Sequence, residues 1–370
     1  MPPVTERLPV FPWDRLEPYK KTAAGHADGI VDLSVGTPVD PVPPLVRQAL
    51  TEAADSPGYP TVWGTPELRD ALVEWCTRRL GAVGLGHRGV LPVVGSKELV
   101  AWLPTQLGLG PGDRVAYPEL AYPTYEVGAR LARAEPVAYR HPTELDPAGL
   151  KLLWLNSPSN PTGRVLDREE LRETVVWARQ HGVLVASDEC YLELGWEAEP
   201  HSVLNPEVCG PDHRGLVTVH SLSKRSNLAG YRAAFLAGDP AVLDELLQIR
   251  KHGGMMVPAP VQAATVAALG DDEHVAEQRA RYAARRSALR EALEKQGFRV
   301  EHSEASLYLW ATRDEPCWHT VAALASLGVL VAPGDFYGPA GDHHVRIAFT
   351  ATDERVRAAV RRLSEEPLPA

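Results

Sequence analysis

A buried strand that runs into a lysine loop is predicted by the stretch Leu216-Val-Thr-Val-His-Ser221-Leu-Ser223-Lys224-Arg-Ser-Asn-Leu-Ala-Gly-Tyr-Arg232. The strand is predicted because its apolar, β-branched residues run on without the alternation of a half-exposed strand. Lys224 can form a Schiff base with a carbonyl cofactor, while Ser221, Ser223 and Arg232 can hold a phosphate on it. The alternative is a solvated Lys–Arg pair on a serine-rich loop, so the rest of the chain has to decide.

The chain around this stretch alternates between short apolar strands and helices. Strands are predicted at residues 90–94, 114–117, 152–155, 183–186 and 216–220, and helices follow from Ser96, near Pro123 and from Asp167. This alternation is typical of an α/β fold with a mostly parallel sheet between helices. Ligands of such sheets bind outside the carboxyl ends of the strands, so we expect the following loops to meet at one site.

The two ends of the chain are predicted to form a smaller α+β domain. Residues 1–30 are rich in proline and indicate an arm that lies over a surface. A short strand from Asp32 follows and runs into a turn at residues 36–38. After Arg232 the pattern becomes helical, with strands near 298, 307–310 and 345–349 and a last helix from Asp353. We therefore predict a large domain over residues 45–270 and a small domain made of residues 1–44 and 271–370.

The composition narrows the class of protein. The chain has 370 residues, enough for two domains, and its formal charge of −10 argues against nucleic acid or an anionic membrane as a partner. Its four cysteines lack the spacing of a metal site or of a disulfide framework; they are Cys76, Cys190, Cys209 and Cys317. Without a leader peptide or an apolar run of about 18 residues, we expect a cytoplasmic protein with reduced thiols.

Three of the loops offer groups that a phosphorylated pyridine aldehyde would need. Ser96 and Lys97 open a helix whose free N–H groups and positive dipole end bind anions, although a plain serine N-cap explains the pattern too. Tyr122 offers a ring to stack on a flat cofactor, or else it packs in the core. Asn160 stands in a rigid turn between two prolines, where its amide can donate to a ring oxygen.

Two charged residues lie at apolar strands, where a buried charge needs a partner. Asp188 follows the strand at 183–186, and its partner is either a protonated pyridine nitrogen or the N-terminus of a helix. Tyr191 follows and can share the ring oxygen with Asn160. Arg346 interrupts Val345-Arg-Ile-Ala-Phe349 and is either a structural ion pair or a bidentate clamp for a substrate carboxylate, and the pattern leaves both open.

Together these residues resemble the fold-type-I pyridoxal-phosphate aminotransferases of classes I and II. The likeness is carried, in order along nearly the whole chain, by Asn160-Pro-Thr-Gly163, Asp188-x-x-Tyr191, Ser221-x-Ser-Lys224 with Arg232, and Arg346. It implies the fold of that family: a large domain with a mostly parallel seven-stranded sheet between helices, plus a smaller α+β domain. It also implies pyridoxal 5'-phosphate as the cofactor.

The resemblance assigns a role to each of these residues. Lys224 would form the Schiff base and shuttle a proton, and Asp188 would pair with the pyridine nitrogen. Asn160 and Tyr191 would bond the ring hydroxyl, while Tyr122 stacks on the ring. The implied phosphate ligands are Ser96, Lys97, Ser221, Ser223 and Arg232. The implied ligands of the substrate are Arg346, Asn160 and the backbone of Gly36.

Other stretches imply a homodimer and a narrower likeness. Tyr59, in Tyr59-x4-Gly64-x-x-Glu67, matches the family tyrosine that reaches the phosphate in the partner subunit. Residues 11–13, 32–41 and 251–262 resemble the actinobacterial type of N-succinyldiaminopimelate aminotransferase. Ser306 departs from that likeness, because a glycine is expected at its position.

The predicted reaction is a ping-pong transamination in lysine biosynthesis. It joins glutamate and 2-oxoglutarate to N-succinyl-L,L-diaminopimelate and its keto form. The basic run Arg250-Lys-His252 is a hypothetical site for the distal carboxylate, unless it is only the cationic end of a helix. The alternatives are an aminotransferase for aspartate, alanine or aromatic amino acids, a β-C–S lyase, or a non-catalytic effector-sensing domain.

Overall fold

The computed structural model describes residues 3–368. Its strands are β1 (Val31–Asp32), β2 (Val90–Val94), β3 (Arg114–Pro118), β4 (Glu135–Tyr139), β5 (Leu150–Asn156), β6 (Leu184–Asp188), β7 (Leu216–Ser221), β8 (Ala233–Gly238), β9 (Arg299–Glu301), β10 (Tyr308–Thr312), β11 (Val329–Leu330), β12 (Ala332–Pro333) and β13 (Val345–Ala348).

The helices alternate with these strands through the middle of the chain and dominate its second half. They are α1 (Glu17–Ala24), α2 (Pro44–Glu52), α3 (Pro66–Trp75), α4 (Ser96–Gln106), α5 (Thr124–Ala132), α6 (Arg168–His181), α7 (Pro206–Cys209), α8 (Leu222–Arg225), α9 (Pro240–Gly253), α10 (Ala259–Leu269), α11 (Glu273–Lys295), α12 (Cys317–Ser326) and α13 (Asp353–Glu365).

Local sequence signals explain several of the helix boundaries. Helix α3 starts at a proline, and the Thr65 side chain accepts a hydrogen bond from the backbone of its first turn. Helix α6 starts with a capping box between Asp167 and Glu170 and ends at Gly182, whose left-handed backbone suits glycine. The start of α6 lies where the sequence predicted it.

A seven-stranded sheet forms the centre of the molecule, with strand order β2-β8-β7-β6-β5-β3-β4. Strands β3 to β7 run parallel, whereas β8 is antiparallel to both of its neighbours, β2 and β7. Apolar residues pack on both faces of the sheet, as the unbroken hydrophobic runs require. The predicted mostly parallel seven-stranded sheet is therefore confirmed.

Two strands of the central sheet, β4 and β8, were not among those predicted from the sequence. The chain after Arg232 was expected to be helical, but residues 233–238 form the buried strand β8. Its alanines and leucine favour a helix, and pairing with β2 and β7 on either side overrides that propensity. The proline-rich arm contains helix α1 over residues 17–24, which packs against α12.

The two ends of the chain share a separate core. Antiparallel strands β12-β13-β10-β9 form one sheet, and β1 pairs in parallel with β11. Leu16, Val31 and Leu33 from the first part pack with Leu324 and Phe349 from the last. The domain division at residues 45 and 271 stays a prediction.

Other structural features bear on the class of protein. None of the helices over residues 3–368 has the length and apolar content needed to span a bilayer. In the same part of the chain no histidine, cysteine or acidic side chains gather into a group that could hold a metal ion. All four cysteines are free.

Candidate active site

Strand register brings the predicted loops together at one edge of the seven-stranded sheet. Asn156 and Asp188 end β5 and β6 and lie opposite each other in the ladder. Ser221 ends β7 and pairs with Ala234 of β8. On its other side Ala234 pairs with Val93, near the end of β2. The loops after β2, β5, β6 and β7 therefore surround one space, as the topology rule predicts.

An anion cradle forms where β2 ends and β8 begins. Ser96 and Lys97 occupy the first turn of α4, where unpaired backbone N–H groups and the helix dipole favour an anion. The guanidinium of Arg232 leans over Gly95, so closely that a Cβ there would fall 2.1 Å from its Nη2. Glycine at position 95 is therefore required for Arg232 to reach the helix N-terminus.

The lysine loop is held in place by its own serines. The Ser221 side chain accepts a hydrogen bond from the backbone N–H of Ser223, which caps the short helix α8 that carries Lys224. The Lys224 amine donates to the backbone oxygen of Gly36. Burial lowers the pKa of Lys224, and the nearby Arg346 lowers it further. A larger share of neutral amine follows, which is the nucleophilic form.

Asp188 is a buried carboxylate without a cationic partner among residues 3–368. It accepts hydrogen bonds from the Tyr125 hydroxyl at 2.8 Å and from the backbone of Cys190 at 3.2 Å. Burial raises its pKa, against the lowering effect of these bonds. No helix follows this strand end, so the capping alternative is wrong. A buried carboxylate without a cation from the protein suits a cation that a ligand supplies.

Two asparagines brace the turn between β5 and α6. The Asn156 side chain donates to the backbone oxygen of Asp188 and accepts from the backbone N–H of Asn160. The carbonyl oxygen of the Asn160 side chain accepts from Arg346 at 2.7 Å, which turns its amide nitrogen toward other acceptors. Asn156 is thus a support for Asn160, which explains why two asparagines crowd one strand end.

Arg346 is a buried guanidinium, 3% exposed, that forms no ion pair with the described residues. It donates to Asn160 Oδ1 at 2.7 Å and to the backbone oxygen of Ser34 at 2.8 Å, and its Nε has no partner. The rings of Tyr308 and Tyr337 lie 3.9 and 4.7 Å from its Cζ. Of the two sequence alternatives, a structural ion pair is wrong, and a site for an external carboxylate fits.

The remaining predicted residues are distributed as follows. Tyr122 is half-buried beside Tyr125, with their rings edge to face, and burial raises its pKa to about 12. Tyr191 is buried, with its hydroxyl 2.9 Å from that of Tyr308. Tyr59 is 95% exposed and is not brought to this site by its own chain. Arg250 is fully buried and donates to Glu98, so it is not free to bind a carboxylate.

Sequence reasoning missed three residues that touch this site. Tyr125 received no role from the sequence, yet its hydroxyl donates to Asp188. Ser34 contributes a backbone oxygen, which no side-chain pattern reveals. Tyr308 lies under Arg346, and the one available signal was its place in the apolar strand that pairs with the strand of Arg346.

Comparisons with known proteins agree with this geometry. Residues 28–363 match the family "Aminotransferase class I and II". The chain belongs to the class I and II aminotransferases. The enzymes of this family depend on pyridoxal phosphate, and they exchange amino groups between amino acids and oxo acids.

Individual relatives resemble this aminotransferase along its length. It is 61% identical over 357 residues to 4-dedimethylamino-4-oxo-anhydrotetracycline transaminase of Streptomyces rimosus, covering 96% of this chain and 99% of that protein. It is 62% identical over 361 residues to a probable aminotransferase of Mycobacterium tuberculosis, covering 98% and 86%. The solved structure of a probable N-succinyldiaminopimelate aminotransferase from Thermus thermophilus has 29% identity and a TM-score of 0.85, covering 96% and 100%.

The site of this aminotransferase fits its cofactor. The unpaired Asp188 carboxylate suits a protonated pyridine nitrogen, and the cradle that Gly95 leaves open suits a phosphate. The Lys224 amine, with its lowered pKa, suits the aldehyde group. Each of the three charged or reactive parts of pyridoxal phosphate thus has a matching group in this chain.

Proposed function

We propose that this aminotransferase exchanges an amino group between glutamate or 2-oxoglutarate and N-succinyl-L,L-diaminopimelate or its keto form. The observation that carries the reaction type is Arg346, a buried guanidinium without a carboxylate partner in residues 3–368 and close enough to Lys224 to lower its pKa. Amino and oxo acids bring the missing carboxylate. The narrower assignment to lysine biosynthesis is supported by the sequence likeness and by the name of the similar Thermus thermophilus protein.

Lys224 is proposed as the residue that binds the cofactor and moves the substrate proton. When bound, pyridoxal phosphate supplies an electrophilic carbon and a conjugated ring that takes up the electron pair of the substrate Cα–H bond. The neutral Lys224 Nζ is proposed to take the proton from the substrate Cα and to hold it for return. The lowered pKa of Lys224 supports this role, because a general base works best with a pKa near the operating pH.

The other side chains are proposed to hold the two reactants. Asp188 would face the ring nitrogen, Asn160 and Tyr191 the ring hydroxyl, and Tyr122 the face of the ring. The proposed phosphate ligands are Ser96, Lys97, Ser221, Ser223 and Arg232. Arg346 would clamp the α-carboxylate beside Asn160 and the Gly36 backbone, which agrees with the contact between Lys224 and Gly36.

A homodimer is proposed with active sites at the subunit interface. Tyr59 is 95% exposed, an unusual state for a tyrosine, and it is the residue that resembles the family's contact to the partner's phosphate. Tyr59→Phe should weaken cofactor binding about tenfold, the value of one hydrogen bond to a charged group. Equal affinity in the two proteins, measured by equilibrium dialysis, would argue against this contact.

Amination of a ketone on a polycyclic substrate is a second candidate. The Streptomyces rimosus relative is named for such a substrate. A cavity of about 320 Å³ lies beside Tyr122, with apolar and aromatic walls from the arm, from β3 and from residues 335–339 that include Val10, Tyr117, Phe336 and Tyr337. Charged side chains at its rim are paired: Arg15 with Asp335, Glu119 with Arg140, and Glu126 with Arg130. A flat, neutral group suits this cavity better than a second carboxylate does.

The deciding experiment is a single-turnover absorbance measurement on cofactor-loaded protein. Glutamate, N-succinyl-diaminopimelate, aspartate, alanine and cystathionine are added one at a time. Rapid loss of the cofactor band with glutamate and the succinylated substrate alone supports the proposal, whereas a fast response to another donor removes the lysine-pathway assignment. Pyruvate released from cystathionine would identify a lyase. Recovery of the band when an aromatic polycyclic ketone follows glutamate would favour the second candidate.

A further inference from the structure

Tyr308 occupies a central position in the site that no predicted role explains. It lies on β10, and the β10–β13 register places Trp310 opposite Arg346 and Tyr308 opposite Ala348. Residues two apart on a strand share a face, so Tyr308 is the diagonal neighbour of Arg346. Tyr308 is 3% exposed.

The ring of Tyr308 supports the Arg346 guanidinium. The Cζ of Arg346 lies 3.9 Å from the ring centroid, closer than the 4.7 Å to the ring of Tyr337. A desolvated cation over an aromatic face gains attraction from the ring quadrupole. Because no carboxylate of residues 3–368 pairs with Arg346, this ring and the hydrogen bonds to Asn160 and Ser34 fix the plane of the guanidinium.

The hydroxyl of Tyr308 makes a second, separate set of contacts. It lies 2.9 Å from the Tyr191 hydroxyl. On another side it lies against Gly36, where a Cβ would fall 2.4 Å from it. The Lys224 amine donates to the backbone oxygen of that same Gly36. The Tyr308 hydroxyl therefore lies next to two groups of the site. One is Gly36, which contacts Lys224, and the other is Tyr191, which is proposed to bond the ring hydroxyl of the cofactor.

Burial and neighbouring charges shift the pKa values of Tyr308 and Tyr191 in opposite directions. Burial by itself would raise the pKa of Tyr308, but Arg346 and Lys224 outweigh it and lower that pKa. The pKa of Tyr191 is raised, chiefly by burial. The other titratable groups close to Tyr308 are Cys190, Tyr122, Tyr282 and Tyr337. These opposite shifts favour the arrangement in which Tyr191 donates and Tyr308 accepts the hydrogen bond between them.

We propose that Tyr308 is a positioning residue with two separable functions: its ring holds Arg346 for the substrate carboxylate, and its hydroxyl orients the Tyr191 hydroxyl. This rests on the roles proposed above for Arg346 and Tyr191. If Tyr308 only filled the core, its ring and its hydroxyl would not have separate effects. Loss of either one would then affect the same property. The two functions predict different kinetic effects for two substitutions at one position.

The test compares Tyr308→Phe with Tyr308→Leu in cofactor-loaded protein. Succinate is a carboxylate that cannot react, and its binding is measured by the change in cofactor absorbance. Because Tyr308→Phe keeps the ring, its Kd for succinate should stay within about twofold of wild type. Its kcat should fall about fivefold to tenfold, since Tyr191 loses one hydrogen-bond partner. Tyr308→Leu should in addition weaken succinate binding about tenfold, the value of a partly desolvated cation–aromatic contact.

Two outcomes would overturn the proposal. One is an equal loss of succinate affinity in both variants, and the other is a kcat for Tyr308→Phe that matches wild type. Because Tyr308→Leu is also the variant more prone to misfold, urea unfolding and circular dichroism are measured for both variants. Tyr308→Met serves as a second replacement without a ring, whose unbranched, flexible side chain adapts to the vacated space.

A measurement without cofactor separates this inference from the proposed function. Tyrosinate absorbance of the apoprotein is followed against pH in wild type, Tyr308→Phe and Arg346→Gln. The earliest-ionising tyrosine should be absent from Tyr308→Phe and should ionise at a higher pH in Arg346→Gln. Identical titrations in all three proteins would overturn the placement of Tyr308 under Arg346, whatever the enzyme's substrate. A wild-type protein that titrates as expected but fails with every amino donor would instead overturn the proposed function.

Discussion

Gly95→Ala gives a sharp test of the anion cradle because two different costs follow from one added methyl group. The Cβ would fall 2.1 Å from Nη2 and 2.6 Å from Cζ of Arg232, so that guanidinium has to move. It is the far end of a flexible side chain, and the movement itself costs little. The backbone at Gly95 has φ 82° and ψ 145°, a region almost restricted to glycine, where another residue costs about 1–3 kcal/mol.

The displaced guanidinium determines the effect on the cofactor. If Arg232 no longer reaches the N-terminus of α4, the charge-assisted hydrogen bond proposed between it and the phosphate would be lost, at a cost of about 1.5–3 kcal/mol. The Kd for pyridoxal phosphate should therefore rise about tenfold to a hundredfold. Equilibrium dialysis measures the Kd, and urea unfolding of the apoprotein measures the backbone cost.

Gly230→Ala is the matched control, because Gly230 lies on the same lysine loop with nothing within 4 Å of its Cβ position. It should leave both quantities near wild type, since an exposed position without strain changes stability by less than about 0.5 kcal/mol. Arg232→Ala completes a double-mutant cycle: if displacement of Arg232 is the cause, Gly95→Ala should weaken binding no further in that background. Full additivity of the two losses, or wild-type affinity in Gly95→Ala, would refute the reasoning.

Three further predictions follow from the buried groups. Burial raises the pKa of Glu189 to about 8 from 4.5, so between those pH values the folded protein keeps a proton that the unfolded chain loses. The free energy of unfolding of the apoprotein should therefore fall by about 1.4 kcal/mol per pH unit in that range. Urea unfolding at several pH values measures this slope, and Glu189→Gln should flatten it. Ser306 has φ 73° and a buried hydroxyl without a hydrogen-bond partner, so Ser306→Gly should raise the free energy of unfolding by about 1 kcal/mol. Ser303→Gly is the control, because Ser303 has a similar φ but a hydrogen-bonded hydroxyl, and it should not stabilise the protein. Equal effects of the two substitutions would contradict this account. Lys224→Ala should lower kcat about 10⁴-fold. It should also abolish the covalent attachment of the cofactor after borohydride reduction, which mass spectrometry detects. A variant chain that still carries the reduced cofactor would show that another lysine binds it.

The sequence by itself determined five strands of the central sheet and the order of the site residues along the chain. Continuous apolar runs predicted β2, β3, β5, β6 and β7, because strands covered on both faces need no polar alternation. Parallel strands bring their carboxyl ends to one edge, so Ser96, Asn160, Asp188 and Lys224 were expected at one place before any distance was known. Local rules of propensity and topology suffice for that much.

The tertiary structure alone decided which partners these side chains have. Strand β8 was missed because its alanines carry no strand signal, and only pairing with two neighbours makes it a strand. Arg346 was equally consistent with an ion pair or a carboxylate clamp, and the choice depends on residues far away in sequence, Ser34 and Asn160. The contact between Tyr308 and Arg346 likewise depends on register. Whether a buried charge is paired is a property of its three-dimensional surroundings, and no local pattern in the chain encodes it.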